Sequence, residues 1–156
     1  MSNFSIRSAQ PDDFTAIQAL DHLLFLYERQ FTPTYNIWWM YQKGGIDYFL
    51  RRLINQDGNS LLLVAERDDQ IIGYLTGYLG HYSYRNLNPI AEIENIFVLP
   101  EHRGRGVGTA LVKEFIRQAK YLGAKLFKVS ALTANQAALS FYQKFGFNPH
   151  VTTLEL

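Results

Sequence analysis

The chain has 156 residues, a length typical of a single domain. Fifteen basic residues against fourteen acidic residues give a formal charge of +1, so a domain built mainly to bind nucleic acid is not expected. The absence of cysteine excludes a disulfide framework, a thiolate metal site and an acyl-cysteine intermediate.

The amino terminus, residues 1–7, lacks the basic segment and apolar run that mark a signal peptide. No part of the sequence approaches the ~20 consecutive apolar residues that a membrane-spanning helix needs. We therefore expect a cytoplasmic protein with no membrane partner.

The first third of the sequence predicts one strand and two helices. Alternating apolar and polar residues indicate a short strand at Phe4–Arg7. Pro11 fits a helix start, and the helix runs for about four turns before Thr32-Pro33 ends it. A second helix is predicted near Ile46–Ile54, after Gly44-Gly45. Helical spacing defines the apolar face of the first helix, which consists of Phe14, Ile17, Leu20 and Leu24.

The rest of the chain alternates strands with helices. A turn is predicted at Asp57-Gly58-Asn59, and the glycines Gly73 and Gly77 inside a strand indicate a bulge or a close backbone approach. The predicted elements are the strands Leu61–Ala65, Ile71–Leu79, Ala91–Val98, Leu126–Ser130 and His150–Leu156, a long helix with Val107, Leu111, Phe115, Ala119 and Leu122 on one face, and a last helix opened by Asn135 and closed by Gly146. The order β-α-α-β-β-β-α-β-α-β predicts one α/β domain over residues 1–156, with helices flanking a mixed, mostly antiparallel sheet.

The segment between the strand ending at Val98 and the long helix carries the strongest functional signal. Gly104, Gly106 and Gly108 let the backbone approach a ligand and direct successive N–H groups into one concavity. The helix that follows adds the positive end of its dipole, so this turn favours phosphate. An ordinary glycine-rich surface turn has the same composition. No Walker lysine is present, and the segment lies too late in the chain for the dinucleotide fingerprint.

Three spaced motifs together resemble the GCN5-related N-acetyltransferase (GNAT) superfamily. Arg103-Gly104-Arg105-Gly106-Val107-Gly108 matches every fixed position of the pyrophosphate signature Arg/Gln-x-x-Gly-x-Gly/Ala of that superfamily. The preceding strand-and-proline segment, 93–100, and the later segment 135–147 with its Asn, Ala, Phe-Tyr and Gly-Phe residues are also similar. The resemblance covers essentially the whole chain and implies an enzyme, an N-acetyltransferase that uses acetyl-CoA.

The resemblance also implies roles for particular residues. The strand before the loop would bulge, which opens room for the pantetheine arm of CoA, and Tyr142 would lie near the thioester sulfur. The backbone groups implied to bind CoA belong to Ile96, Phe97 and Val98 for the arm and to Arg103, Gly104, Arg105, Gly106, Val107, Gly108 and Thr109 for the pyrophosphate, with a further contact from Asn135.

Amide formation requires a neutral amine, whereas a free alkylamine has a pKa of about 10.4, so a base must accept a proton. Glu94 is the candidate base, since some members of the superfamily carry a glutamate at the matching position. Glu92 lies two residues earlier on the same side of the strand, and solvent is the third option. Tyr142 is the candidate proton donor to the CoA thiolate. Without cysteine, the acetyl group is expected to pass directly to the amine in a ternary complex.

The acceptor is the least constrained part of the prediction. Aromatic residues crowd two segments that this fold would place around the acceptor, and the substrate-binding candidates are Glu92, Trp38, Trp39, Tyr82 and Tyr84. Aromatic faces and a carboxylate favour a small cationic amine. The same aromatics would also fill a core or a homodimer interface. A protein or peptide amine, a longer acyl donor and a non-catalytic acyl-CoA-binding module stay open as alternatives.

No metal site is expected. The histidines His22, His81, His102 and His150 are scattered, without ligand spacing or paired acids.

Overall fold

The computed structural model describes residues 3–55 and 58–156, so Asp57 of the predicted turn lies outside the described residues. The order of elements follows the prediction up to the last helix. The strands and helices are β1 (Ser5–Ser8), α1 (Phe14–Glu28), α2 (Lys43–Ile54), β2 (Ser60–Arg67), β3 (Gln70–Gly80), β4 (Ile90–Val98), α3 (Val107–Tyr121), β5 (Leu126–Val129) and α4 (Gln136–Gln143).

The strands form one five-stranded sheet in the order β1-β2-β3-β4-β5. The first three neighbouring pairs are antiparallel, and only β4 and β5 are parallel. A tight turn joins β2 to β3, and Asp68 and Asp69 adopt the left-handed conformation there, with φ of 50° and 60°. The predicted mixed, mostly antiparallel sheet is confirmed.

Helices cover both faces of the sheet, because alternate strand residues point to opposite faces. One face packs against α3 and α4, and its most deeply buried residues include Leu63, Leu75, Ile93, Leu111 and Phe115. The other face packs against α1 and α2 through Ile17, Met40, Phe49, Val64 and Tyr74. We call the second one the α1/α2 face. No helix among the described residues is both long and apolar enough to cross a membrane.

The prediction of a final strand at His150–Leu156 is wrong. These residues are exposed and belong to no strand, and Val151 and Leu154 are 78% and 89% exposed. Their β-branched and apolar composition favours a strand only where a neighbouring strand supplies hydrogen bonds and packing. No described strand pairs with this segment.

The start of α2 also differs from the prediction, because Gly44 and Gly45 lie inside the helix. A Cβ atom on Gly45 would lie 2.3 Å from the carbonyl oxygen of Trp39. The glycine is therefore a site of close approach between α2 and the short 3₁₀ turn Trp39–Tyr41.

Candidate acetyl-CoA site and acceptor face

A bulge in β4 shapes the centre of the site. The pairing of β3 with β4 passes from Gly77 opposite Ile93 to Thr76 opposite Asn95, which leaves Glu94 without a partner on β3. Such an extra residue bends the strand and redirects the side chains around it. The bulge that the resemblance implies is therefore present.

Gly77 permits this bulge. A Cβ atom at Gly77 would lie 2.3 Å from the carbonyl oxygen of Glu92 and 2.6 Å from the ring of Phe115. The extra residue also breaks the alternation of side chains, so that Glu94 and Asn95 both contact the helices of the α1/α2 face. Two adjacent polar side chains are thereby directed to one side of the sheet.

The parallel pairing of β4 with β5 stops at the bulge. Its last pair joins Ile93 to Val129, and residues 94–98 continue beside β3 with no described strand on their other side. We call this open edge of β4, from Glu94 to Val98, the β4 cleft. An extended ligand arm can add to such an edge as an extra strand does.

Two of the three predicted strand residues direct their backbone into the β4 cleft. The N–H of Leu99 donates to the carbonyl of Ile72 on β3 at 2.9 Å. Because backbone groups alternate along a strand, those of Phe97 also face β3, while those of Ile96 and Val98 face the cleft. Ile96 and Val98 can therefore pair with a pantetheine arm, whereas Phe97 turns its side chain into the core of the α1/α2 face.

The glycine-rich loop ends the β4 cleft. Gly104 and Gly106 have φ of 71° and 83°, a region that only glycine adopts readily. This conformation leads directly into α3, where the first-turn N–H groups of Val107, Gly108 and Thr109 have no partner within the helix. These donors, together with the dipole of α3, suit the pyrophosphate of CoA.

The two loop arginines occupy different surroundings. The Nε of Arg103 donates to the carbonyl of Val98 at 2.9 Å, and its guanidinium lies 5.0 Å from the ring of Phe97 and 5.4 Å from that of Tyr27. Arg103 thus ties α1 to the edge of β4. Arg105 instead lines a cavity of about 420 Å³ that is also lined by Arg67 and His102.

Tyr142 and Asn135 belong to α4. Tyr142 is buried against Phe141 and Phe147, and its hydroxyl makes no hydrogen bond with a described residue. Burial, and secondly the charge of Glu28, raise the pKa of Tyr142, so the phenol keeps its proton at neutral pH. Asn135 caps α4, since its side-chain oxygen accepts from the N–H of Ala138 at 3.1 Å.

The carboxylate of Glu94 is held by two donors from α2. The hydroxyl of Tyr48 donates to it at 2.7 Å, and the guanidinium of Arg52 forms an ion pair with the same oxygen. Arg52 also lies 3.5 Å above the ring of Tyr48, and its side chain is only 14% exposed. Arg52 therefore belongs to the Glu94 cluster and not to a solvated face of α2.

Glu92 lies on the same face and has its own cation. The Nζ of Lys128 on β5 is 3.0 Å from its carboxylate, and this contact raises the pKa of the lysine. Tyr78 donates to Glu92 at 3.1 Å, and its hydroxyl is 2.8 Å from that of Tyr82. Both strand glutamates are thus paired with basic side chains.

The aromatic candidates divide into three environments. Trp39 packs against Tyr48 with ring centres 5.3 Å apart, and thus reaches the Glu94 cluster. Trp38 is 56% exposed and stacks on His22 at 4.6 Å, away from the strand glutamates. Tyr84 is 78% exposed and contacts the ring of Tyr82 at 5.8 Å between ring centres.

Two carboxylates on α1 were not among the predicted site residues. Asp21 is fully buried, and its Oδ1 accepts from Tyr74 and, at 3.1 Å, from the Nδ2 of Asn95 at the bulge. Burial raises the pKa of Asp21 to about 6. Burial, and secondly the charge of Asp21, raise the pKa of Glu28 to about 7. Neither was predicted to lie on the apolar face of α1, although both follow Ile17 at the helical spacing of that face.

Other missed residues are the partners of the strand glutamates, namely Tyr48, Arg52, Tyr78 and Lys128. The sequence indicated one part of this cluster, because Tyr48 and Arg52 are four residues apart and therefore share a face of α2. No group of three or more potential metal ligands occurs in the part of the chain that the structure describes.

The chain is similar in sequence and fold to known proteins. The model of the acetyltransferase (GNAT) family matches residues 20–147. An uncharacterised N-acetyltransferase of Methanocaldococcus jannaschii is 28% identical over 94% of this chain, which spans only 62% of that protein. An aminoglycoside N(6')-acetyltransferase type 1 of Acinetobacter baumannii is 34% identical over 64% of this chain and 69% of its own length.

A solved structure agrees with the fold. The PaiA N-acetyltransferase of Thermoplasma acidophilum, in complex with coenzyme A, superposes with a TM-score of 0.79 at 20% identity, over 96% of this chain and 92% of that one. The β4 bulge, the glycine-rich loop and the match to the family over most of the sequence lead to one conclusion. The chain belongs to the acetyltransferase (GNAT) family of acetyl-CoA-dependent N-acetyltransferases.

Proposed function

We propose that the protein transfers the acetyl group of acetyl-CoA directly to a primary amine of a small cationic molecule. The observation that carries this proposal is the β4 cleft, whose open edge leads into left-handed glycines and the first turn of α3. Ile96 and Val98 hold the pantetheine arm, and the loop from Arg103 to Thr109 holds the pyrophosphate. The cofactor is acetyl-CoA, and no metal takes part.

The acceptor side is suited to a cation. Glu92, Glu94 and Glu28 lie on or against the α1/α2 face, and the aromatic rings of Tyr48 and Tyr82 lie beside the two strand glutamates. Carboxylates attract an ammonium group, and aromatic faces contribute about 0.5–2 kcal/mol to binding a cation. The A. baumannii relative, named as an aminoglycoside acetyltransferase, supports an aminated small molecule.

A chemical group of this chain serves each step of the acetyl transfer. The amine nitrogen attacks the thioester carbonyl, whose developing negative charge is stabilised by the N–H of Ile96 or Val98 in the β4 cleft. The carbon–sulfur bond then breaks, and the hydroxyl of Tyr142 gives its proton to the CoA thiolate. Glu94, fixed by Arg52 and Tyr48, orients the cationic acceptor. A cytoplasmic location stays a prediction.

The test is to incubate the purified protein with acetyl-CoA and a panel of polyamines, aminated sugars, amino acids and lysine peptides. We expect one CoA thiol released per acetylated small amine, measured by thiol titration and mass spectrometry. Acetyl-CoA binding without thiol release across the whole panel would identify a non-catalytic acyl-CoA-binding module. Efficient turnover of peptides alone would identify a protein or peptide acceptor.

A further inference from the structure

The two strand glutamates are poorly suited to take a proton from the acceptor. The carboxylate of Glu94 accepts from Arg52 and Tyr48, and that of Glu92 accepts from Lys128 and Tyr78. A carboxylate that already faces a cation loses that interaction when it is protonated. The proton acceptor is therefore to be sought among carboxylates without a basic partner.

Helix α1 supplies such a carboxylate beside the β4 cleft. Asp21 on α1 contacts Asn95 at the bulge, and Tyr27 on α1 lies under Arg103, which bonds the carbonyl of Val98. The helix thus runs along the cleft from the bulge to the loop. Its next residue after Tyr27 is Glu28, seven residues beyond Asp21 and on the same side of the helix.

The rise of the helix matches the length of the cleft. Two turns of α1 advance about 10 Å. Three residues of β4, from Asn95 to Val98, also advance about 10 Å. Since Asp21 is fixed at Asn95, Glu28 lies beside the β4 cleft rather than beside residues 90–93, which pair with β5.

The surroundings of Glu28 agree with this position. It is half-buried, and its side chain makes no hydrogen bond or ion pair with a described residue. Its charge raises the pKa of Tyr142 on the opposite side of the cleft. The titratable groups that face it are Asp21 on its own helix, Tyr74 on β3, Tyr142 on α4 and Tyr35 after α1, where Glu155 adds its charge.

We propose that Glu28 is a further catalytic residue of the transfer, the carboxylate that takes a proton from the ammonium group of the acceptor; this rests on the proposed function. The free electron pair of the nitrogen then forms the carbon–nitrogen bond, and the carbon–sulfur bond breaks in the step that follows. The nitrogen loses two protons in all. One passes to Glu28 and on to solvent, and the other replaces the proton that Tyr142 gives to the thiolate.

The raised proton affinity of Glu28 suits this role. Burial and the charge of Asp21 raise the pKa of Glu28 to about 7, and a base is most effective when its pKa lies near the operating pH. An arriving ammonium group attracts the ionised form of Glu28, so the carboxylate first binds the acceptor and then accepts its proton.

The test compares Glu28→Gln with Glu94→Gln. In the parent, kcat/KM for a small amine should fall on the acid side of a pKa of about 7, because kcat/KM reports the free enzyme. In Glu28→Gln, this acidic limb of the pH profile of kcat/KM should disappear, and kcat at neutral pH should fall by about 10²–10⁴. Glu28→Asp should restore part of the acidic limb and part of kcat. Glu94→Gln should keep the limb and chiefly raise KM for the amine.

Two results would overturn the assignment. A Glu28→Gln protein with the parent's limb and turnover would remove Glu28 from the chemistry, and loss of the limb in Glu94→Gln would transfer the role to Glu94. Thermal melting checks that both variants are folded. A parent that acetylates no amine would refute the proposed function instead.

A second measurement decides the question without turnover. Carbon NMR of labelled glutamate side chains, assigned with Glu28→Gln, should show Glu28 of the CoA-loaded protein titrating near pH 7. Spermidine should lower that midpoint. A midpoint within the ordinary glutamate range, or one that spermidine does not move, would contradict the proposal.

Discussion

The two halves of the site are built from different parts of the chain. In the proposed site, backbone groups do the binding on the cofactor side: the open edge at Ile96 and Val98, the left-handed Gly104 and Gly106, and the first turn of α3. On the acceptor side, side chains from α1, α2, β3 and β4 contact one another, and most of the polar groups are already paired.

This difference determines which substitutions each half of the site can tolerate. A backbone site depends on conformation, so substitutions matter there where they change φ or fill the space needed by the ligand. A side-chain network depends on charge and hydrogen bonding, so removing one partner disturbs the others. The cofactor side can therefore remain constant while the acceptor side changes its substrate, which fits a family whose members include aminoglycoside acetyltransferases.

Tyr142 is the exception on the cofactor side, since its proposed role depends on a side chain, and we expect the largest effect there. Tyr142→Phe keeps the packing against Phe141 and Phe147 and removes only the hydroxyl. Loss of a positioned acid should lower kcat by about 10²–10⁴, while calorimetry should show almost unchanged CoA affinity. Full turnover in this variant would reduce Tyr142 to a packing residue and leave the cofactor side purely a backbone site.

Asp21 tests the acceptor side through stability. Its folded-state pKa of about 6 lies above the ordinary value of 3.8, so the protonated carboxyl favours folding, and this contribution is lost as pH rises through 6. Asp21→Asn keeps an oxygen acceptor for Tyr74 and Asn95. It should therefore stabilise the protein by about 3 kcal/mol at pH 8 and by little at pH 4, measured by denaturant unfolding. An equal effect at both pH values would contradict the buried-charge account.

Gly106 tests the backbone side. Gly106→Val forces a β-branched residue into φ of 83° where the pyrophosphate is expected, and should weaken CoA binding about tenfold, or roughly 1.4 kcal/mol. Gly123→Val is the matched control, because Gly123 has φ of 92°, also has open space around its Cβ position and lies beyond the other end of α3. Equal loss of CoA affinity in both folded variants, by calorimetry, would remove the loop from the account.

Glu94 should give the smallest effect. Glu94→Gln leaves an acceptor for Tyr48 but removes the charge that attracts the amine, so KM for a cationic acceptor should rise about threefold to tenfold with little change in kcat. Glu114→Gln is the control, since Glu114 pairs with Arg117 on α3 and should leave both constants unchanged. A collapse of kcat in Glu94→Gln would return the role of the base to the strand.

Most of the fold, and the backbone geometry of the proposed cofactor side, could be predicted from the sequence. Val107, Leu111, Phe115 and Ala119 are buried as predicted, and only Leu122, 42% exposed, departs from that face. These features can be recognised in the sequence because glycine positions and helical spacing depend on the local conformation of the chain. The bulge was indicated by Gly77 for the same reason.

The acceptor side could be predicted only in part, because its contacts join residues far apart in the chain. Asp21 and Asn95 are 74 positions apart, and Arg52 and Glu94 are 42 apart. A polar residue in an amphipathic helix is ordinarily assigned to the solvent-exposed face. For this reason Asp21, Glu28 and Arg52 were not predicted to belong to the site. The failed strand at 150–156 has the same origin, since strand propensity does not reveal whether a partner is present.

In the proposed reaction, the acceptor is a small cationic amine that is acetylated directly from acetyl-CoA. The most direct measurement compares kcat/KM for a small polyamine or aminated sugar with that for a peptide carrying one lysine, at saturating acetyl-CoA, by CoA-thiol release. We expect kcat/KM for the small amine to exceed that for the peptide by about tenfold or more, roughly 1.4 kcal/mol in transition-state stabilisation. Efficient acetylation of the peptide with no turnover of any small amine would contradict it.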